Sequence, residues 1–375
     1  MTGSALENLV RQTRFTDDEL RTLLSLSDEA DCEILYREAF ERTTKLHGNA
    51  LFWRGLIEIS NICTYDCRYC GIRKSNTRLH RYTLSVDEIV EAATRALEAG
   101  YGSVVLQGGE RNDPKFVDFI VEVLAAIHKK SRSLGFKNGC GITLSFGEQS
   151  RETYQRWKEA AGNPDAVRYL LRLETTNPAL FRHIHGDGPK KKVLIERFLA
   201  LHDLRETGYQ VGTGVMIGIP GQTVDDLVRD IRTFERSGID MIGMGPYLVS
   251  RQADMVSEGM MPKEPLLRLS RNMIAVTRLV LPKCNIAAAT ALETLHKSGR
   301  ALGVLSGCNV MMPNISPESV QQDYTLYDRK ADTESEKDAN LALEKSVYEL
   351  TGRSVAKNRL GSSLLFRERY RLLSD

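Results

Sequence analysis

A chain of 375 residues with 51 basic and 49 acidic side chains has a formal charge of +2, so no global field draws it to nucleic acid or to an anionic membrane. The first twenty residues are charged throughout and lack the apolar stretch of a signal peptide, and nowhere does an apolar run approach the length of about 18 residues that crosses a bilayer. Seven cysteines are too sparse for a disulfide scaffold in a chain this long, which leaves the expectation of a cytoplasmic protein acting on a small molecule.

In chain order, residues 1–50 read as a helical extension, with Thr16 as an N-cap ahead of an acidic first turn and apolar side chains at helical spacing from Glu29 to His47. Over 51–320, short apolar strands alternate with amphipathic helices. Strands are predicted near 54–60, 103–108, 141–146, 166–173, 210–218, 240–246, 284–289 and 309–313, and helices near 86–99, 114–134, 151–161, 191–207, 223–237, 263–279 and 297–304. Eight such units predict an α/β fold of the (β/α)8 TIM-barrel type; an open doubly wound sheet is the alternative, because periodicity does not report closure. Residues 321–375 are expected to close the barrel with a polar loop over Asp328–Asp338 and a helix over 339–352.

The first strand runs into Cys63-Thr-Tyr-Asp-Cys67-Arg-Tyr-Cys70, a C-x3-C-x2-C run with three thiolates and no fourth. Zinc favours a closed set of four Cys or His ligands, and none follows at finger-like spacing, the nearest being His80 in a basic stretch. A [4Fe–4S] cluster ordinarily takes four cysteines, so three leave one iron open to an outside molecule. In this the chain resembles the radical-SAM superfamily, in which the open iron chelates S-adenosylmethionine (SAM) and an electron from the cluster releases a 5′-deoxyadenosyl radical. The resemblance sets Tyr69 against the adenine. The other four cysteines, Cys32, Cys140, Cys284 and Cys308, are scattered and read as buried structural thiols.

The remaining strand ends are polar, charged or glycine-rich, as a barrel mouth requires. Gln107-Gly108-Gly109-Glu110 has the make-up of a backbone that approaches a ligand closely, with Glu110 able to anchor the loop or meet an ammonium. Strand alternation sets Arg168, Arg172 and Glu174 on one face, the lumen of a barrel, where charges must be paired or bound. Either Arg172 and Glu174 pair and plug the barrel, or they meet a carboxylate and ribose hydroxyls. Gly218-Ile-Pro-Gly-Gln222 reads as an architectural turn, His183-Ile-His185 as part of a polar loop and not a metal site, and Lys190-Lys-Lys192 as a solvated helix start.

Together with Arg168-Tyr-Leu-Leu-Arg172-Leu-Glu174-Thr-Thr-Asn-Pro178, Asp240-Met-Ile-Gly-Met-Gly-Pro246 and Asn309-Val-Met-Met-Pro-Asn314, these motifs make the chain similar to the HydE family of [FeFe]-hydrogenase maturases over about residues 8–353. Biotin synthase and methylornithine synthase are related; the further cysteines of biotin synthase's second cluster have no match here. The resemblance implies SAM contacts at Gln107, Ser145, Arg172, Glu174, Arg197, Met241, Leu248 and Tyr324, and a substrate cavity lined by Arg54, Arg168, Thr290, Met312 and Tyr327. It also implies an anionic small-molecule substrate, a low-potential electron donor of flavodoxin or ferredoxin type and transient contact with other hydrogenase maturases. Gly108, Ala289 and the Tyr247–Asp254 loop depart from the family's usual residues.

Overall fold

Ala50–Ser60 (β1) is the longest strand and is buried over all but its first residue. The computed structural model describes residues 3–188, 190–328 and 336–371. The further strands are Ser103–Gly108 (β2), Gly141–Ser145 (β3), Val167–Leu170 (β4), Gln210–Thr213 (β5), Met216–Ile217 (β6), Met241–Pro246 (β7), Asn285–Ala288 (β8), Val310–Met311 (β9) and Ser354–Val355 (β10). Parallel pairing runs β1-β2-β3-β4-β5-β7-β8-β9 and closes where Phe52 and Trp53 of β1 meet Val310 and Met311 of β9. The sheet is therefore a closed eight-stranded barrel, and the open-sheet alternative falls. The predicted strand over 210–218 is split, its second part continuing as β6 against β7, and the predicted 166–173 strand ends early at Leu170.

Helices wrap the barrel, most with an apolar face inward, and Thr16 caps its helix as the sequence suggests. Thr16 and Ser85 each form a reciprocal capping box with the glutamate three residues on. The helix over Glu29–His47 lies on Lys263–Val280, tied there by the Tyr36 hydroxyl donating to Asn272 at 2.7 Å and by the Asn272 amide donating to Leu24 and Leu26 carbonyls. Gly218 to Gln222 is a turn closed by the Gln222 side chain, which accepts from the Gly218 amide and donates to the Met216 carbonyl. His183 and His185 end a helix, Pro178–His185, in place of the expected loop, because Asn177 caps it through the Ala179 and Leu180 amides. The helix before the chain's final segment spans Glu336–Thr351, and most of the expected Asp328–Asp338 loop lies outside the described residues. No described helix is long and apolar enough to cross a membrane.

The N-terminal end of the barrel is floored by a distant segment. β10 pairs with the start of β1, and the chain then runs beneath the lumen. Arg54 and Asn285 donate to the Gly361 carbonyl, Arg168 and Ser103 to that of Leu360, and Gln210 holds Ser362 and Ser363. Arg54 also reaches the Met241 sulfur. Arg54, Arg168 and Met241 thus meet at this lower end of the barrel, in the floor, below the cavity at the mouth. Arg168 and Met241 come at or next to the first residue of their strands, and side chains there meet the N-terminal end, opposite to where barrel chemistry gathers.

Candidate active site

At the other end of the barrel, β1 delivers the cysteine loop. Asn61 fixes its exit by accepting from the Tyr82 amide and donating to the His80 and Asp323 carbonyls. The Arg81 guanidinium then donates to the carbonyls of Asn61, Ile72, Arg73 and Asn76, holding the loop's two ends in one geometry. The next strand end presses on the loop. Thr64 donates to the Glu110 carbonyl through both its amide and its hydroxyl. A Cβ on Gly109 would stand 2.3 Å from the Ile62 carbonyl oxygen and 2.8 Å from the Cys63 nitrogen, so only glycine allows this approach. Gly109→Ala should push the loop off β2 at an overpacking cost of about 1–3 kcal/mol. Iron retained per chain after anaerobic reconstitution should fall together with the melting temperature; iron content equal to wild type would show that the approach is dispensable.

Cys63, Cys67 and Cys70 all line one cavity of about 260 Å³ at the barrel mouth. Burial pushes all three thiols up, Cys67 to about 12, so as isolated thiols they stay protonated and lose the proton only to a metal. Among the described residues no three Cys, His, Asp or Glu side chains converge as ligands of a single ion. Cysteines of a cubane each hold a different iron, so their sulfurs stand further apart than the ligands of one zinc. The donor set thus fits a cluster and does not fit a mononuclear site.

The remaining wall comes from the strand ends. Gln107, Gly108, Gly109 and Ser145 line it from β2 and β3, with Gln107 donating to the Tyr324 hydroxyl and Ser145 to the Leu170 carbonyl. Beyond β4, Arg172 grips Glu174 with two parallel bonds of 2.8 and 2.9 Å and donates to the Gly243 carbonyl. The pair stands on the cavity wall, above the strands, so it does not plug the lumen. Glu174 has a φ of +63°, a left-handed conformation rare outside glycine, and its amide and carbonyl are both held, by Gly214 and Met216. Tyr69, Leu248, Thr290, Met312, Tyr324 and Tyr327 also line it. Tyr69 packs edge-on against His185, whose Nδ1 is bound to the Phe181 carbonyl.

One charged group is not legible in the sequence. Lys192, expected in solvent, is buried and pairs with Glu110 at 2.6 Å, while Arg197 pairs with Glu110 at 2.8 Å and with Glu148 at 2.7 Å. Glu110, Lys192 and Arg197 all line the cavity beside the cysteine loop. Burial raises Glu110, but the Arg197 and Lys192 charges outweigh it and hold the carboxyl well below its usual range. Burial raises Glu148, and there Arg197 does not fully compensate. A run of three lysines gives no sign that the third turns inward. Glu58, on β1, also lines the cavity, its carboxylate accepting from the Asn314 amide at 3.0 Å.

Comparison with known proteins agrees with this geometry. Residues 57–234 match the model of the Radical SAM superfamily. The [FeFe] hydrogenase maturase subunit HydE of Thermotoga maritima is 36% identical over 98% of this chain and 99% of that protein. The chain belongs to the HydE family of radical SAM enzymes. The 3-methylornithine synthase of Methanosarcina acetivorans is 26% identical over 86% of both chains. The crystal structure of methylornithine synthase (PylB) superposes with a TM-score of 0.77 over 98% of this chain and all of that one at 23% identity, a likeness of fold. Membership of the HydE family makes the protein an enzyme and implies a [4Fe–4S] cluster with SAM, which the three-cysteine cavity fits.

Proposed function

We propose that this enzyme cleaves SAM reductively and uses the resulting radical on a small anionic substrate in the assembly of the [FeFe]-hydrogenase cofactor. The observation that carries the reading is the convergence of three thiols and the Arg172–Glu174 pair on one cavity, in a chain related over 98% of its length to a HydE protein. When bound, the cluster supplies the electron that breaks a C–S bond of SAM.

The chain's own residues do the positioning. Cys63, Cys67 and Cys70 hold the cluster; Tyr69, Gln107, Gly108, Gly109, Glu110, Ser145, Arg172, Glu174, Arg197, Leu248 and Tyr324 form the SAM side of the cavity. On this reading Arg172 meets the SAM carboxylate with donors not spent on Glu174, and Glu174 accepts from ribose hydroxyls. Glu110, already held by two cations, acts by fixing the wall. Thr290, Met312 and Tyr327 line the substrate side, and Arg54 and Arg168 stand in the floor of the same barrel, where their charge suits an anionic substrate. An oxygen-labile cluster fits a reducing cytoplasm, with a flavodoxin- or ferredoxin-type protein as donor and other maturases as transient partners.

Anaerobically reconstituted protein given dithionite and SAM should form 5′-deoxyadenosine. None above an unreconstituted control would favour an iron–sulfur carrier. Extracts of a strain deleted for the gene should lack active [FeFe]-hydrogenase. Normal hydrogenase activity there would move the substrate to another small molecule, as in a methylornithine-type mutase.

A further inference from the structure

The Leu194–Glu206 helix is apolar on two sides. Ala200, Leu201 and Leu204 are buried against the barrel, whereas Ile195 and Leu199, one turn apart, are 61% and 57% exposed on the outer side, next to Val193 at 41%. A helix apolar all round is ordinarily covered. Val193 and Ile195 line a groove of about 480 Å³ between this helix and Pro178–His185, with Phe181 and Phe198 also in its lining, and Leu199 stands one turn along the helix from Ile195, so the exposed apolar side chains continue the groove.

The surface around the groove carries a net positive charge. Over residues 182–199 the exposed charges are Arg182, Lys190 and Lys191 against Asp187 and Glu196, while Lys192 and Arg197 turn inward to Glu110. Lys191 and Asp187 stand 3.4 Å apart with both side chains more than half exposed, a pairing that solvent leaves weak.

The groove also adjoins the cysteine loop. Lys192 lines both the groove and the active-site cavity. The Lys190 and Lys192 ammoniums sit 5.0 and 4.8 Å from the ring of Tyr65, between Cys63 and Cys67, and Lys190 donates to the Thr64 hydroxyl at 3.2 Å. SAM cleavage consumes an electron from outside, and transfer slows steeply with distance. A donor must therefore come close to the cysteine loop, which this groove adjoins.

We propose that this groove docks an acidic one-electron carrier protein, with Ile195 and Leu199 as its apolar contact and Arg182, Lys190 and Lys191 as the charges that orient it; the proposal rests on the radical SAM reading above. Each turnover moves one electron from the carrier to the cluster, oxidising the first and reducing the second, with no group transferred. Rim charges opposite in sign to the carrier's speed encounter and set orientation, and the apolar centre lengthens residence.

The test uses flavodoxin and the reconstituted full chain. Two variants, Arg182→Glu with Lys191→Glu, and Ile195→Asp with Leu199→Asp, lie outside the catalytic cavity. Each should weaken flavodoxin binding, measured by calorimetry at low salt, at least about tenfold. Each should lower flavodoxin-driven formation of 5′-deoxyadenosine by a similar factor while leaving the dithionite-driven rate and the melting temperature at wild-type values. The charge-reversed variant should also lose most of the salt dependence of binding. Equal flavodoxin affinity in wild type and both variants overturns the docking proposal, and so does a flavodoxin-driven rate that falls only as far as the dithionite-driven one. Failure of wild type to cleave SAM with dithionite would instead overturn the reading on which it rests.

Discussion

Cys67→Ala protein, reconstituted without oxygen, should hold at most a small fraction of the wild-type iron and form 5′-deoxyadenosine at least about a hundredfold more slowly with dithionite. Loss of groups that merely orient metal ligands already costs 10- to 100-fold, so loss of a ligand itself should exceed that. Cys67 is the most buried of the three, and with it gone the remaining pair cannot hold three irons. Cys140→Ala and Cys308→Ala provide the contrast, because both thiols are buried in the apolar core away from the cavity. They should cost stability alone and keep the cluster's absorbance and low-temperature EPR signal. A Cys67→Ala protein with wild-type iron and turnover would remove the three-thiolate site.

The second large effect is on stability. Arg197, 2% exposed, is the cation shared by Glu110 and Glu148, and Arg197→Met leaves two largely buried carboxylates with the single ammonium of Lys192. Breaking a buried pair from one side costs about 3–5 kcal/mol, and that is the loss expected in urea unfolding of the apoprotein at neutral pH. The sign of the pH dependence follows from Glu148. Burial, with the charge of Glu110 adding to it, already raises this carboxyl, so its contribution is complete below the ordinary carboxylate range and is lost as pH rises through the raised value. Removing Arg197 takes away the group that pulls it down and raises it further. The deficit of the variant should therefore be greater at pH 8.5 than at pH 5.5, and adding Glu148→Gln should recover part of it at the higher pH. A deficit independent of pH would mean that packing of the arginine stem, and not charge, is what Arg197 supplies.

The barrel was legible because short apolar runs followed by polar or glycine-rich loops alternate with segments whose apolar residues mostly recur at helical spacing. The mouth was legible for the same reason: Cys63, Gln107, Ser145, Arg172 and Thr290 all fall at strand ends, and the topology gathers those ends on one cavity. What escaped were contacts fixed by residues far apart in sequence. Strand alternation set Arg168 in the lumen, but it gives no depth, and nothing near Arg168 announces that the Leu360 carbonyl will reach it. Lys192 belongs to a run whose composition reads as solvated; only Glu110, 82 residues earlier, turns it inward. The helix over Pro178–His185 was missed because eight residues between Asn177 and Gly186, with two histidines and an arginine, resemble a polar loop more than an amphipathic face.

The floor carries a consequence for biogenesis. The carbonyls that receive Arg54 and Arg168 belong to residues about 300 and about 190 positions downstream of those arginines. During synthesis these two guanidiniums have no such receptors until the far segment has emerged, so the lower lumen stays wet while the cysteine loop above is already made. Sealing of the barrel's lower end is thus a late event in the protein's synthesis, set by the emergence of its far segment.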